Sequence, residues 1–136
     1  MSVRLVGTPV IAGAAEGIAL VSREPLSFWG GVDPASGRIT QPRHPDHGRS
    51  VAGTVLAMPG AIGSSSSSAV LLELLYRRCA PAALLMGEAD AILALGVVVA
   101  REMGFGSIPV LECRLADATD GTVVSVSVDG TITVPA

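Results

Sequence analysis

The sequence has no lysine, few aromatic residues and only two cysteines, and each shortage excludes a class of protein. All nine basic residues are arginine and the net charge is −3, so the chain offers no basic surface for a nucleic acid. Cys79 and Cys113 match neither a zinc nor an iron–sulfur spacing, and we interpret both as small apolar residues in a reducing compartment. With 3% aromatic residues, the core must consist of Val, Leu, Ile and Ala, which favours an α/β structure.

Long apolar segments and targeting signals are also missing. The longest apolar stretch, residues 80–100, is interrupted by Gly87, Glu88 and Asp90, which argues against a membrane span. The first residues lack the basic segment and continuous apolar core of a secretory signal. We therefore expect a cytoplasmic protein with no membrane or nucleic-acid partner. Its length of 136 residues, 49% of them hydrophobic, fits a single domain over residues 1–136.

The periodicity predicts strands at both ends of the chain and alternating strands and helices between them. Predicted strands cover residues 3–7, 17–21, 50–58, 82–86, 108–111, 122–128 and 131–134. Predicted helices cover residues 65–78 and 90–102, and the last two strands form a hairpin with a two-residue turn at Asp129-Gly130. The irregular segment 22–48 is long enough to carry function. This order predicts β-layers packed with helices.

The most informative segment is a glycine-flanked strip that runs into five serines, Met58-Pro59-Gly60-Ala61-Ile62-Gly63 and then Ser64 to Ser68. A predicted strand enters the strip and a predicted helix leaves it. Glycine allows backbone to approach a ligand closely, and the first helical turn has N–H groups without internal partners. Those donors and the helix dipole favour an anion. The alternative is a serine helix cap with solvated hydroxyls.

Two aromatic residues stand together in the irregular segment, Phe28 and Trp29, and Gly30 follows them. If exposed, they would suit a partner interface or a pocket wall. The alternative is that they close the end of the core. Asp33-Pro34 has the composition of a turn, and we do not predict a catalytic role for Asp33.

Four titratable residues have both a functional and a structural interpretation. His44 and His47 form an H-x-x-H pair without cysteine or carboxylate neighbours, which indicates metal binding only weakly and favours a role in loop structure. Glu88 and Asp90 precede the second predicted helix, where they suit a cap and the helix dipole better than catalysis.

Three separated segments resemble one family. They are Glu24-Pro25-Leu26-Ser27-Phe28-Trp29-Gly30-Gly31-Val32-Asp33-Pro34, His44-Pro45 with Gly48-Arg49-Ser50, and Met58 to Ser68 leading into Val70-Leu71. Together with Ala80-Pro81 and the segment 88–100, they look like the small subunit of aconitase X-type hydro-lyases, in the family's order and spacing. The resemblance implies the aconitase swivelling β/β/α domain.

The resemblance also implies a partner, a cofactor and a substrate class. The partner is a large subunit that holds an iron or iron–sulfur centre, so no cofactor is expected in this chain, and the active site lies between the two subunits. Family members dehydrate small hydroxy acids, either cis-3-hydroxy-L-proline or mevalonate 5-phosphate. We prefer the hydroxyproline, because a family arginine suited to a phosphate is missing here.

The family's serine loop assigns the site residues. The serine taken as the catalytic base follows the last glycine of a Gly-Arg-Gly-Ser-Ser-Ser-Gly-Ser pattern, which corresponds to Ser64. Gly63, Ser65, Ser66, Phe28, Trp29 and Gly30 are the expected substrate-binding residues. Ala61, Ile62 and Ser67 replace the first glycine, the arginine and the later glycine. Either a cation of the large subunit replaces the arginine, or substrate and chemistry have changed.

Two functions of different classes follow. The first is the small, swivelling subunit of a dehydratase, inactive without its large subunit, in which Ser64 removes the proton α to a carboxylate. The second is a non-catalytic module whose loop binds an anion or a partner, which the Ile62 replacement favours.

Overall fold

The computed structural model describes residues 2–62, 65–114 and 119–135, in which a mixed sheet is covered by helices. The strands are β1 (Ser2–Val6), β2 (Thr8–Ile11), β3 (Ala15–Val21), β4 (Val55–Met58), β5 (Ala83–Met86), β6 (Val110–Glu112), β7 (Val123–Val126) and β8 (Thr131–Pro135). The helical segments are α1 (Phe28–Gly31), which is a single distorted turn, α2 (Ser67–Tyr76) and α3 (Ala91–Glu102). No helix in the described ranges has the length and apolar character needed to cross a bilayer.

The strands form one sheet in the order β1-β8-β7-β3-β4-β5-β6-β2. The four strands β3 to β6 are parallel neighbours, whereas the pairs towards both ends are antiparallel. Because β1 and β2 lie at opposite ends of this order and only Gly7 separates them in the chain, the sheet folds back on itself, and we call the apolar region that it encloses the barrel interior. Gly7 is the corner, where its N–H donates to the Gly130 carbonyl at 2.9 Å and an added Cβ would meet Leu111 and Ile132.

The central strands alternate between two apolar regions, as strand geometry requires. In β4, Val55 and Ala57 belong to the barrel interior, whereas Leu56 and Met58 belong to the layer under the helices. The barrel interior is filled by small and branched side chains: Ala19, Val55, Ala57, Ala83, Leu85, Leu111, Val124, Val126, Ile132 and Val134. It leaves a cavity of about 10 Å³, which holds one water at most. The barrel interior therefore has no room for a substrate.

Helices α2 and α3 cover the parallel part of the sheet and pack on each other. Asp90 caps α3, since its Oδ1 accepts hydrogen bonds from the N–H groups of Ile92 and Leu93 at 2.9 and 3.0 Å. The helices approach closely at Gly96, where an added Cβ would overlap the carbonyl oxygen of Ser68. Gly96 therefore fixes how near α3 can come to the first turn of α2.

The structure confirms the predicted α/β class and differs from the predicted strands in three places. The sequence does not predict β2, an edge strand that contains Pro9 and has three exposed residues out of four. Residues 50–54 are not part of β4, because Thr54 N–H donates to the Val51 carbonyl and closes a turn. The β7–β8 hairpin is confirmed, but its turn is longer than predicted: residues 128–130 separate Ser127 from Thr131, whose backbones pair.

Gly96 gives a stability prediction. Gly→Ala in an exposed helix interior normally raises stability by about 1 kcal/mol. Here Gly96→Ala should lower the free energy of unfolding by about 1–3 kcal/mol, because the methyl group meets backbone that cannot move independently. Urea unfolding measures the difference. Glu102→Ala, at an exposed position of the same helix, is the control and should change stability by less than about 0.5 kcal/mol. A stabilised Gly96→Ala variant would contradict the close helix contact.

Cys113 gives a pH prediction. Burial at the edge of the barrel interior raises the pKa of its thiol to about 11, because the thiolate is desolvated. In a Cys79→Ser variant at pH 8, iodoacetamide should therefore alkylate Cys113 about 100-fold more slowly than in the unfolded chain, and the rate should rise about tenfold per pH unit up to pH 10. Intact mass followed over time gives the rates. A titration midpoint near pH 9 in the folded protein would refute the burial of this thiol.

Candidate functional site

The candidate site lies at the edge of the sheet where the parallel strands end. Chain segments leave this edge after β3, β4, β5 and β6, and the edge of carboxyl ends is where open parallel sheets usually bind ligands. The glycine–serine strip leaves it after β4, and residues 88–90 leave it after β5. The two segments are tied together, because Gly87 N–H donates to the Met58 carbonyl and Glu88 N–H to the Pro59 carbonyl, both at 3.0 Å.

The described part of the strip runs along the segment that follows β3. Ala61 forms a parallel bridge with Leu26, and Ile62 N–H donates to the Leu26 carbonyl at 3.3 Å. The Ile62 side chain is 49% exposed, so this replacement places an apolar group on the surface beside the serines. Gly63 and Ser64, the predicted binding and catalytic residues, lie outside the described residues.

The remaining serines form the start of α2 and divide into exposed and anchored residues. Ser65 is exposed and Ser66 is half-buried, so of the two predicted substrate-binding serines Ser65 is the more accessible. Ser67 is buried, and its Oγ accepts a hydrogen bond from the Trp29 N–H at 3.3 Å. Ser68 Oγ donates to the Ser65 carbonyl at 3.0 Å. The first turn of α2 is therefore held by its own serines and by α1.

The two aromatic residues of α1 separate. Phe28 is 0% exposed and lies in the core under the helices, so its predicted substrate contact is wrong and the core interpretation is correct. Its ring has no surface left to offer a ligand. Trp29 is 58% exposed. Gly30 is also exposed, has a φ of 78°, and has open space where a side chain would begin. Trp29 and Gly30 thus remain available to a substrate or partner, and Trp29 is joined to the serine segment through Ser67.

The turn after α1 is structural, as predicted for Asp33-Pro34. The Asp33 carboxylate accepts hydrogen bonds from Ala35 N–H at 3.0 Å and from Ser36 Oγ at 2.8 Å. These bonds, first the backbone bond from Ala35, lower the pKa of Asp33 below its ordinary value. A carboxylate engaged in this way is a turn residue rather than a base.

His44 is a buried structural residue, so the structural interpretation of the H-x-x-H pair is confirmed for the first of its two histidines. Its Nδ1 accepts a hydrogen bond from Asp46 N–H at 3.0 Å, so the ring proton is on Nε2, which lies 3.2 Å from Ser22 Oγ. Ser22 Oγ in turn donates to the Glu24 carbonyl at 2.9 Å. His44 therefore pins the long loop to the end of β3, whereas His47 is exposed.

The Ser22–His44–Asp46 arrangement resembles a hydrolytic triad only in composition. In a triad the carboxylate accepts a hydrogen bond from the Nδ1 proton, but here Nδ1 is itself an acceptor and Asp46 Oδ2 is 3.9 Å away. Asp46 instead pairs with Arg49 at 3.0 Å, and Arg49 reaches Asp120 at 3.2 Å. Ser22 is 1% exposed, so no substrate could reach its hydroxyl. We exclude hydrolase chemistry at this cluster.

The carboxyl edge carries acids and two arginines that sequence reasoning missed. Asp90 is the cap of α3, as predicted, and Glu88 is exposed beside the strip. Arg23 and Arg114 each follow a strand end by two residues, are exposed and have no ion-pair partner among the residues the structure covers. The position of a cation just after a predicted strand is the signal that could have identified them. Within the described ranges no three potential metal ligands come together.

Comparisons with known proteins agree on one family. The profile of a family described as the aconitase X swivel domain matches residues 4–134. A cis-3-hydroxy-L-proline dehydratase of Pseudomonas aeruginosa is 47% identical over 106 residues, 78% of this chain but 18% of that protein. A phosphomevalonate dehydratase small subunit of Methanothrix thermoacetophila is 41% identical over 117 residues, 86% of this chain and 83% of that protein. The chain thus spans less than a fifth of one relative and most of the other.

Solved structures show the same fold. The crystal structure of Thermococcus kodakaraensis aconitase X in its holo form superposes with a TM-score of 0.89 at 34% identity, covering 98% of this chain and 99% of that chain. The solution NMR structure of a UPF0107 protein gives a TM-score of 0.83 at 34% identity, covering 96% and 97%. The predicted swivelling β/β/α fold is confirmed.

The histidine pair supplies a matched test of the loop anchor. His44→Ala should lower the free energy of unfolding by about 2–4 kcal/mol, because it empties a buried volume and leaves the Asp46 N–H without its acceptor. His47→Ala, three residues away and exposed, should change it by less than about 0.5 kcal/mol. Urea unfolding followed by circular dichroism compares them. Equal effects of the two substitutions would show that His44 does not anchor the loop.

Proposed function

Because the chain belongs to the aconitase X swivel-domain family, we propose that it is the small, swivelling component of a dehydratase that shares its active site with a larger chain. The observation that carries the proposal is the position of the serine segment. Within the region that matches the family, Ser65 is exposed at the start of α2 and at the carboxyl edge of the parallel strands. Relatives named small subunits, such as the Methanothrix protein, support a larger partner chain.

In this proposal Ser64 is the general base, and this chain supplies the electrostatic surroundings of the base. A serine hydroxyl accepts a proton only where its alkoxide is stabilised. Ser64 precedes α2 by three residues, so the positive end of that helix dipole favours the anion. Arg23, after β3, is a cation of this chain on the same edge and is available for the substrate carboxylate.

The iron centre is proposed for the companion chain. The described residues of this chain bring together no cluster of three or more possible metal ligands. When bound to the companion, such a centre supplies Lewis acidity for departure of the hydroxyl group. The proton taken by Ser64 and the departing hydroxyl leave together as water, and a carbon–carbon double bond forms in the substrate. Trp29 and Gly30 would cover the reacting groups and keep water out when this chain as a whole closes on its companion.

We propose cis-3-hydroxy-L-proline as the substrate, with mevalonate 5-phosphate as the alternative. Relatives carry both names, so similarity does not choose between them. The choice is supported by charge, because Glu88 is an exposed carboxylate beside the strip and Asp90 follows it. Two acids disfavour a phosphate dianion and suit the ring ammonium group of a hydroxyproline.

A second candidate is an anion-binding or interaction module without catalysis. The observation that favours it is Ile62, which puts an exposed apolar side chain next to the serines instead of a cation. A module of this kind would bind a partner through Ile62 and Trp29 and turn nothing over.

The test is dehydration by the reconstituted enzyme. The chain is co-expressed with the large chain of the same organism, purified under argon and assayed with both substrates. Ser64→Ala should lower kcat at least about 100-fold while the complex still forms, because the proton acceptor is lost and the contacts between the chains are not. Ser107→Ala, an exposed serine outside the site, should leave kcat unchanged.

Each other outcome has a definite meaning. Full activity of Ser64→Ala would remove Ser64 from the mechanism. Turnover of mevalonate 5-phosphate alone would reverse the choice of substrate. A folded wild-type complex that dehydrates neither compound would favour the binding module. Turnover by the isolated small chain, which we expect to fold but to be inactive, would refute the shared site.

A further inference from the structure

Trp29 is an exposed aromatic side chain on a turn whose two ends are buried. Phe28 before it and Val32 after it both belong to the core under the helices. Between them the backbone leaves the helical region at Trp29, with ψ 110°, and Gly30 takes the left-handed φ of 78° that glycine tolerates. The core therefore fixes both ends of the turn, and Trp29 is the large side chain that the turn exposes.

Ser67 fastens the middle of this turn to helix α2. Its side chain is buried, and its Oγ accepts a hydrogen bond from the Trp29 N–H at 3.3 Å. The Trp29 carbonyl is bonded as well, because it accepts from Ser27 Oγ at 2.9 Å. Val70, one turn further along α2, lines an open groove together with Trp29. Helix α2 therefore contributes a backbone hydrogen bond to Trp29 and a wall of the groove that Trp29 lines.

Gln41 fastens the same turn from the long loop. Its Oε1 accepts a hydrogen bond from the Ser27 N–H at 2.9 Å, and its own N–H donates to the Gly31 carbonyl at 3.2 Å. An added Cβ on Gly31 would lie 2.9 Å from Gln41 Oε1, so glycine lets this side chain pass close to the backbone. The Thr40 N–H also donates to the Gly31 carbonyl, at 2.9 Å. Gln41 thus holds the turn on both sides of the residue that Ser67 holds.

We propose that Ser67 and Gln41 are positioning residues for the dehydration, which act by holding Trp29 where it covers the reacting groups. The inference rests on the proposed function, in which Trp29 keeps water out of the shared site. A backbone that is fixed beforehand lowers the entropic cost of ordering a side chain against a substrate. Ser67 itself is buried, so its hydroxyl acts through Trp29 and not on the substrate. In the alternative, Ser67 only holds the first turn of α2.

Trp29 is the only tryptophan of the chain, so its fluorescence reports on this turn without depending on enzymatic activity. In the isolated full chain, Ser67→Ala should raise the amplitude of the sub-nanosecond anisotropy decay about twofold, because the Trp29 N–H loses its acceptor. Gln41→Leu should have the same effect, whereas Gln41→Glu keeps an acceptor oxygen and should resemble the wild type. Ser125→Ala removes a hydroxyl of β7 that is bonded to Glu16 at 3.0 Å, and this control should also resemble the wild type.

Kinetics of the reconstituted enzyme test whether Ser67 acts through Trp29. With whichever of the two substrates the complex dehydrates, Ser67→Ala should lower kcat about 3–10-fold and change KM less than about twofold, and Trp29→Ala should lower kcat further. In the double variant the serine substitution should add no further loss, because the residue that Ser67 positions is already gone. Ser125→Ala should leave kcat unchanged. If Ser67→Ala does not fold, Gln41→Leu takes its place in the double variant.

Two results would overturn the inference while leaving the proposed function intact. The first is a double variant whose loss in kcat equals the product of the two single losses, because Ser67 would then act on the serine segment itself. The second is an unchanged anisotropy decay in Ser67→Ala, with an active wild-type complex. A wild-type complex that dehydrates neither compound is a different outcome, since it overturns the proposed function and this inference with it.

Discussion

The complete burial of β4 and β5 is the constraint on which the rest of this structure depends. All four residues of each strand are buried, because one face turns to the barrel interior and the other to the helices. Strands covered on both faces can expose nothing along their length, so any chemistry must appear where they end. The glycine–serine strip follows β4 directly, and Glu88 follows β5 by two residues. The location of the candidate site is thus a consequence of the burial of the strands.

The long loop between β3 and β4 is held by polar contacts that have no role in chemistry. Its apolar residues Leu26, Phe28, Val32 and Ile39 enter the core under the helices, and His44 with Asp46 and Arg49 fastens its second half. A loop of this length costs conformational entropy on folding, which the buried side chains and the His44 contacts offset. Because the loop is fixed, Trp29 is exposed at one defined place beside the serines. The fixed loop therefore holds the exposed side chain of Trp29 beside the serines.

The sequence predicts most of the fold and only part of the site, for physical reasons. Uninterrupted apolar runs predict helix α3 and strand β5. The position of Asp90 just before α3 predicts its role as the helix cap. Strand β2 is not predicted from the sequence, because this exposed edge strand contains Pro9 and lacks the alternation of apolar and polar residues that indicates a half-buried strand. Phe28 and Trp29 are indistinguishable by composition, and only the turn of α1 decides which ring is buried. Arg23 and Arg114 come to the same edge through strand order, which local patterns do not contain.

The charge at the carboxyl edge limits how this chain can act alone. A substrate carboxylate at the strip would lie near Glu88 and Asp90, and like charges a few ångströms apart repel by about 1–4 kcal/mol in partly hydrated surroundings. The α2 dipole contributes only about 0.3–1 kcal/mol at a surface. Arg23 and Arg114 offset the charge of the two acids, so an anion gains little net attraction from this edge by itself. Positive charge from a second chain would change this balance in favour of an anion, which is consistent with the proposed active site between two chains.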